Sequence, residues 1–236
     1  MNLNGMFREL ALGELSNLAL SEGGTIIAEK RPQIVNYINE GLLALYSKFV
    51  LKEIDMLIEM REALTNYHLL RRYAVSQYSD ENPPDRWNLP YIIDNVGEPF
   101  QEDVIKILSV YNSFGMKIPL NDIENPLSVF SPQSTVLQVP YPIAGQALSL
   151  EYQARHKILD HCNCDEEIYL PDVLHSALRA HVASKVFMHM NTQENTAKGQ
   201  EHMIIYDIIC NDVVEKDLVN TSSSTTNVKF DKRGWR

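Results

Sequence analysis

Apolar residues recur at helical spacing near both ends of this chain and lose that spacing between them. This arrangement constrains the fold more than any single motif does. In 31–50, Ile34, Ile38, Leu42, Leu45 and Phe49 fall on one face, and Pro32 sits in the first turn, where its missing N–H costs nothing. Near the other end, Pro171-Asp172 opens a run with Leu174, Leu178, Val182 and Val186 on one face. Ala180, Ala183 and Phe187 lie on a second face, so this helix is expected to be covered on two sides. The polar stretch 191–199 reads as a break, after which Met203, Ile204, Ile208 and Val214 mark another helix reaching about Leu218. Two helices so joined pack as an antiparallel hairpin. A shorter helix is expected in the first twenty residues, with Leu3, Phe7, Leu10 and Ala11 on one side and Gly13 ending it.

Between these helices the pattern is that of strands and loops. Pro83-Pro84 interrupts a loop at 79–88, and 121–146 is rich in Pro and Asn, with one strand near Thr135–Val139. Segment 103–120 reads as a hairpin with Gly115 in its loop, although VIKILSVY alone also fits a turn or two of helix. Leu148, Leu150 and Tyr152 alternate with polar neighbours, the period of a half-buried strand. Strands segregated from helices argue for an α+β fold. The expected architecture is a helical bundle (N-terminal helices plus a C-terminal helical hairpin, residues 1–52 and 165–220). A β-rich insertion occupies 53–164, and an extended C-terminal tail occupies 221–236.

The formal charge of −10 argues against a protein that grips nucleic acid, because that affinity comes from Lys and Arg displacing counterions. An acidic surface that DNA slides past is compatible with it. Three cysteines are too few for a disulfide scaffold, the N-terminal MNLNGMFREL has no apolar signal core, and no apolar run is long enough to span a membrane. The expectation is a chain made and folded in a reducing cytoplasm, with no membrane partner.

None of the common catalytic motifs is present: no Gly-rich phosphate loop, no H-E-x-x-H, no G-x-S-x-G and no paired C-x-x-C. His156, His161, Cys162 and Cys164 could hold zinc, but they come from one short stretch without a second knuckle. The cluster therefore reads as a polar loop, and no metal or cofactor is expected. His175, His181 and His189 are six and eight residues apart, unlike the i, i+4 spacing of helix-borne ligands, and read as surface or interface residues. The tail holds Lys229, Lys232, Arg233 and Arg236 against one acid, a net +3 that leaves the rest of the chain at −13. With Phe230 and Trp235 it could dock an acidic or apolar groove on a partner; an unselected end is the other reading.

Two of these segments carry a resemblance. The run IVNYINEGLLALYSKF, residues 34–49, resembles the helix that opens the head-to-tail adaptor proteins of tailed bacteriophages, with Gly41 where alanine is commoner. Residues 168–178, with Leu170-Pro171 before the helix, resemble the start of the final helical hairpin of that family, and Ala180 and Ala183 continue it. The likeness covers the helical parts, about half the chain. The β-rich 53–160 segment is only loosely similar to an insertion of podovirus-type adaptors.

The resemblance implies a non-enzymatic virion protein of the neck, a homo-oligomeric, dodecameric ring that binds the portal and receives tail or nozzle proteins. Genomic DNA would pass through its channel without specific binding. The helical bundle would build the ring, and the β-rich insertion would face outward or towards the tail. It gives Lys229, Phe230, Lys232, Arg233, Trp235 and Arg236 a role in binding the portal. Other readings are another neck or tail-tube protein, a small cytosolic metal-binding enzyme or regulator using the His156–Cys164 cluster, and a nucleic-acid binder using the tail.

Overall fold

A computed structural model describes residues 1–79, 83–84, 89–95, 97–190 and 192–219. The fold is α+β. The chain divides into two compact units, Met1–Leu51 with Ile158–Arg236, and Lys52–Lys157.

The first unit holds four α-helices among the described residues: α1 (Leu3–Leu12), α2 (Arg31–Lys48), α3 (Asp172–His189) and α4 (Gln193–Glu215), with a small ribbon of β1 (Ser21–Glu22) and β2 (Thr25–Ile26). Asn2 caps α1 by accepting from the Gly5 N–H at 2.9 Å, and Gly13 ends it. Leu3, Met6, Phe7 and Leu10 of α1 are fully buried. Each side chain so buried stabilises by about 1.5–3 kcal/mol before entropy is counted. Ile34, Ile38, Leu42 and Leu45 of α2 and Leu174, Ala177, Leu178 and Val182 of α3 are buried in the same unit. Helices α2 and α3 approach closely because residue 41 has no side chain. A Cβ there would lie 2.7 Å from Leu178 Cδ1 and 3.0 Å from His181 Cδ2.

Helices α3 and α4 form the expected antiparallel hairpin, with Phe187 stacked on His202 and His181 edge-on to Tyr206. The break is shorter than the polar stretch 191–199. Thr192 caps α4 by accepting from the Asn195 N–H at 3.2 Å, and Glu194 binds Lys198 one turn on at 2.8 Å. Those local bonds make helix out of residues whose polarity reads as loop. Helix α4 also turns a different face inward than its apolar spacing predicts. Gly199, Tyr206, Cys210 and Val213 are buried, while Ile204, Ile208 and Val214 are exposed.

Residues 158–164 group with this helical unit rather than with the β-rich segment. Asn39 of α2 clamps buried Leu159 through both its amide groups, at 3.1 and 3.0 Å. The Leu3 and Asn4 N–H groups, orphan donors of the first turn of α1, bind the Glu166 and Cys164 carbonyls, each at 2.9 Å.

The second unit carries strands β3 (Glu53–Glu59), β4 (Asn66–His68), β5 (Ile92–Ile93), β6 (Val104–Tyr111), β7 (Lys117–Ile118), β8 (Phe130–Gln133), β9 (Val136–Gln138) and β10 (Ala147–Ala154). Five make an antiparallel sheet in the order β5-β3-β10-β6-β7, and three make a second sheet, β4-β9-β8. Strand β10 is central: Leu150 pairs with Met56 on one side and Val110 on the other. Its alternation puts Leu148, Leu150 and Tyr152 inward, where they meet Ile58, Tyr67, Leu69 and Leu137 in one core. The β6–β7 hairpin turns at 112–116, with Gly115 at φ +76°, a conformation that favours glycine.

Candidate functional site

The tail residues Lys229, Phe230, Lys232, Arg233, Trp235 and Arg236 lie outside the described residues. Helix α4, the last helix before the tail in sequence, has an exposed apolar face. Ile204 is 59% exposed, Ile208 55% and Ile205 44%, and these three share the outer side of the helix. Around them stand the exposed acids Glu201, Asp207 and Glu215. Glu194 and Asp212 on the same helix are paired with Lys198 and Lys216, each at 2.8 Å. The face is thus apolar at its centre and acidic at its edges.

The His156–Cys164 cluster is divided between the two units. His156 belongs to the β-rich unit, is buried, and places Nδ1 2.5 Å from the Lys157 carbonyl, so that nitrogen carries the proton and donates. His161, Cys162 and Cys164 belong to the helical unit, on the loop stapled to the start of α1. There His161 Nδ1 lies 3.2 Å from Asp160 Oδ1, and its Nε2 lies 3.5 Å from Cys162 Sγ. The Asp160 charge raises the exposed Cys162 thiol above its ordinary pKa. Cys164 Sγ accepts from Arg31 Nη1 at 3.6 Å.

The helix-borne histidines do not share one environment. His189 is exposed and packs its ring on Tyr37, and His175 is half-buried beside Asp172. His181, expected at a surface or interface, is only 7% exposed, and neither ring nitrogen has a hydrogen-bond partner among the described residues. It sits where α3 meets Gly41 of α2 and Tyr206 of α4. Burial, with a smaller contribution from the Lys185 charge, lowers its pKa, and Glu40 opposes this.

In the β-rich unit a cleft of about 950 Å³ opens beside β3 and holds Lys52, Asp94, Phe100, Asp103 and Tyr152 in its lining. Buried Asp103 accepts from the Tyr152 hydroxyl at 3.1 Å and from Lys52 at 3.2 Å. Burial first, then the Asp103 charge, holds the Tyr152 phenol far above its usual pKa. Asp94 accepts from the Ser76 hydroxyl and N–H at 2.5 and 2.8 Å and from the Phe100 N–H at 2.9 Å. Burial alone would raise Asp94, but these bonds outweigh it and its pKa falls.

Each carboxylate is therefore occupied in holding a loop or a strand end, and the arrangement serves structure. Sequence reading missed these groups because Asp103 stands 51 residues from Lys52 and 49 from Tyr152, with no local spacing to join them. No protein-family model matches this chain, and no curated protein matches it.

Proposed function

We propose that this chain is a structural, non-enzymatic head-to-tail adaptor of a tailed phage. It assembles as a dodecameric ring, binds the portal, and offers the attachment site for tail or nozzle proteins. In this reading it is made in the host cytoplasm and resides in the neck of the virion. Residues 221–236 reach the portal through Lys229, Phe230, Lys232, Arg233, Trp235 and Arg236.

The observation that supports this most is the outer face of α4. Ile204, Ile205 and Ile208 lie largely outside the core, and an apolar patch rimmed by polar residues is the composition of a protein contact. The net charge of −10 supports a channel that DNA crosses without sticking.

Sedimentation of the purified chain, alone and with a portal protein, tests the reading. A small species that joins the portal as a ring, and fails to after removal of 221–236, is the expected result. No association under any salt condition overturns it. Association with tail-tube subunits in place of the portal would assign the chain to another position in the neck.

A further inference from the structure

The loop 160–166 departs from the polar-loop expectation in one respect: three neighbouring side chains bring their donor atoms together. Asp160, His161 and Cys162 each bring a donor atom within 4.8 Å of the others, and all three are exposed. The geometry matches that of a metal ligand pair. Zinc bonds to thiolate sulfur at about 2.3 Å and to imidazole nitrogen at about 2.0–2.1 Å, so two ligands at the tetrahedral angle stand about 3.5 Å apart. Cys162 Sγ and His161 Nε2 are 3.5 Å apart.

The other imidazole nitrogen, Nδ1, lies 3.2 Å from Asp160 Oδ1. A carboxylate in that position fixes the ring and its tautomer, leaving Nε2 unprotonated for the metal, as the outer partner of a ligating histidine does.

The backbone holds these groups in place before any ion arrives. The Asn163 N–H donates to the Asp160 carbonyl at 3.1 Å, and the Glu166 N–H to the Asn163 carbonyl at 3.2 Å. The Cys162 N–H binds Asp160 Oδ1 at 3.0 Å. The first turn of α1 staples the loop through the Cys164 and Glu166 carbonyls. Cys164 Sγ is held by Arg31 Nη1 at 3.6 Å and by the His161 carbonyl at 3.7 Å, and the three donors that converge are those of Asp160, His161 and Cys162.

We propose that His161 and Cys162, oriented by Asp160, form a site for a thiophilic divalent cation of the zinc class. Two coordination positions are left to water or to a further ligand. On binding, the Cys162 thiol loses its proton to solvent and a metal–thiolate bond forms, with no change of oxidation state. The site stands independently of the assembly reading, since all its donors lie on one loop.

The test is titration of the reduced full-length chain with Co²⁺, followed by competition with Zn²⁺. A thiolate-to-cobalt charge-transfer absorption, bleached by Zn²⁺ and unaffected by Mg²⁺, is expected. Cys162→Ser and His161→Ala abolish it, Cys164→Ser keeps it, and Asp160→Asn weakens the apparent affinity about 10–100-fold. Circular dichroism of each variant, unchanged for substitutions on an exposed loop, separates lost binding from lost folding. Absence of the band in the reduced wild type, or its survival in Cys162→Ser, overturns the proposal.

Discussion

His181 shows how one residue can set a pH limit on a helical unit. Its ring is buried without a hydrogen-bond partner, so the charged form is disfavoured and its pKa in the folded state lies below the ordinary 6.5. The unfolded chain then binds the proton more readily than the folded one. Stability is complete above about 6.5 and falls as pH drops through that value towards the lower folded pKa. The groups that face it are Glu40 of α2, Lys185 of α3 and Tyr206 of α4. Urea midpoints at pH 7.5 and 5.5 should therefore differ in the wild type, and the difference should shrink in His181→Phe. Equal pH sensitivity in the two would refute this account.

Position 41 makes a second prediction at the same scale. Alanine gains helix propensity of about 1 kcal/mol over glycine, but overpacking a tight core costs about 1–3 kcal/mol. A Cβ 2.7 Å from fully buried Leu178 tips the balance. Gly41→Ala should destabilise by about 1 kcal/mol in chemical denaturation, although alanine is the better helix former.

At the scale of elements, strand β10 and the cleft beside β3 depend on Asp103. Its side chain joins Tyr152 of β10 to Lys52, and its carbonyl accepts from the Arg155 N–H at 2.8 Å. Asp103→Ala leaves the buried Tyr152 hydroxyl unpaired, which costs about 1–3 kcal/mol. Lys52 is 42% exposed, so Lys52→Ala should cost less, about 0–1 kcal/mol. Comparison of the two variants by urea denaturation checks the order, and a larger loss in Lys52→Ala would contradict the assignment.

Helix α4 allows the opposite kind of experiment. Ile204→Ser with Ile208→Ser removes exposed apolar groups, so the subunit should unfold at an unchanged denaturant midpoint. Under the proposed adaptor function, ring formation, read by sedimentation, should weaken. A drop in subunit stability with assembly intact would mean that these isoleucines serve the fold after all.

The division of the chain sets the scale of the whole molecule. Each unit has its own core, of leucines and isoleucines from α1, α2 and α3 in one and of two sheets in the other. The tail follows α4, beyond the described residues. Ending the chain after Val219 should leave the thermal transition where it is and, under the proposed adaptor function, remove portal association. Loss of both together would place the tail in the fold rather than in the contact.

The sequence by itself determined the class of fold and the place of most elements. Periods of 3.6 and 2 are written into local spacing, and Pro32, Gly13 and Gly115 mark boundaries that depend on backbone geometry alone. It did not determine which side of α4 faces inward. Two apolar stripes compete on that helix, and close packing against α3 at Gly199 selected the one with Tyr206, Cys210 and Val213.

Nor could spacing show that His181 is enclosed, that Asp103 serves two distant partners, or that Asp160, His161 and Cys162 turn their donors to one point. Each of these depends on contacts between elements or on the path of a loop stapled to another part of the chain. Only the tertiary structure closes those distances, because a hydrogen bond or a buried ring depends on which segments meet and not on how far apart they lie in sequence.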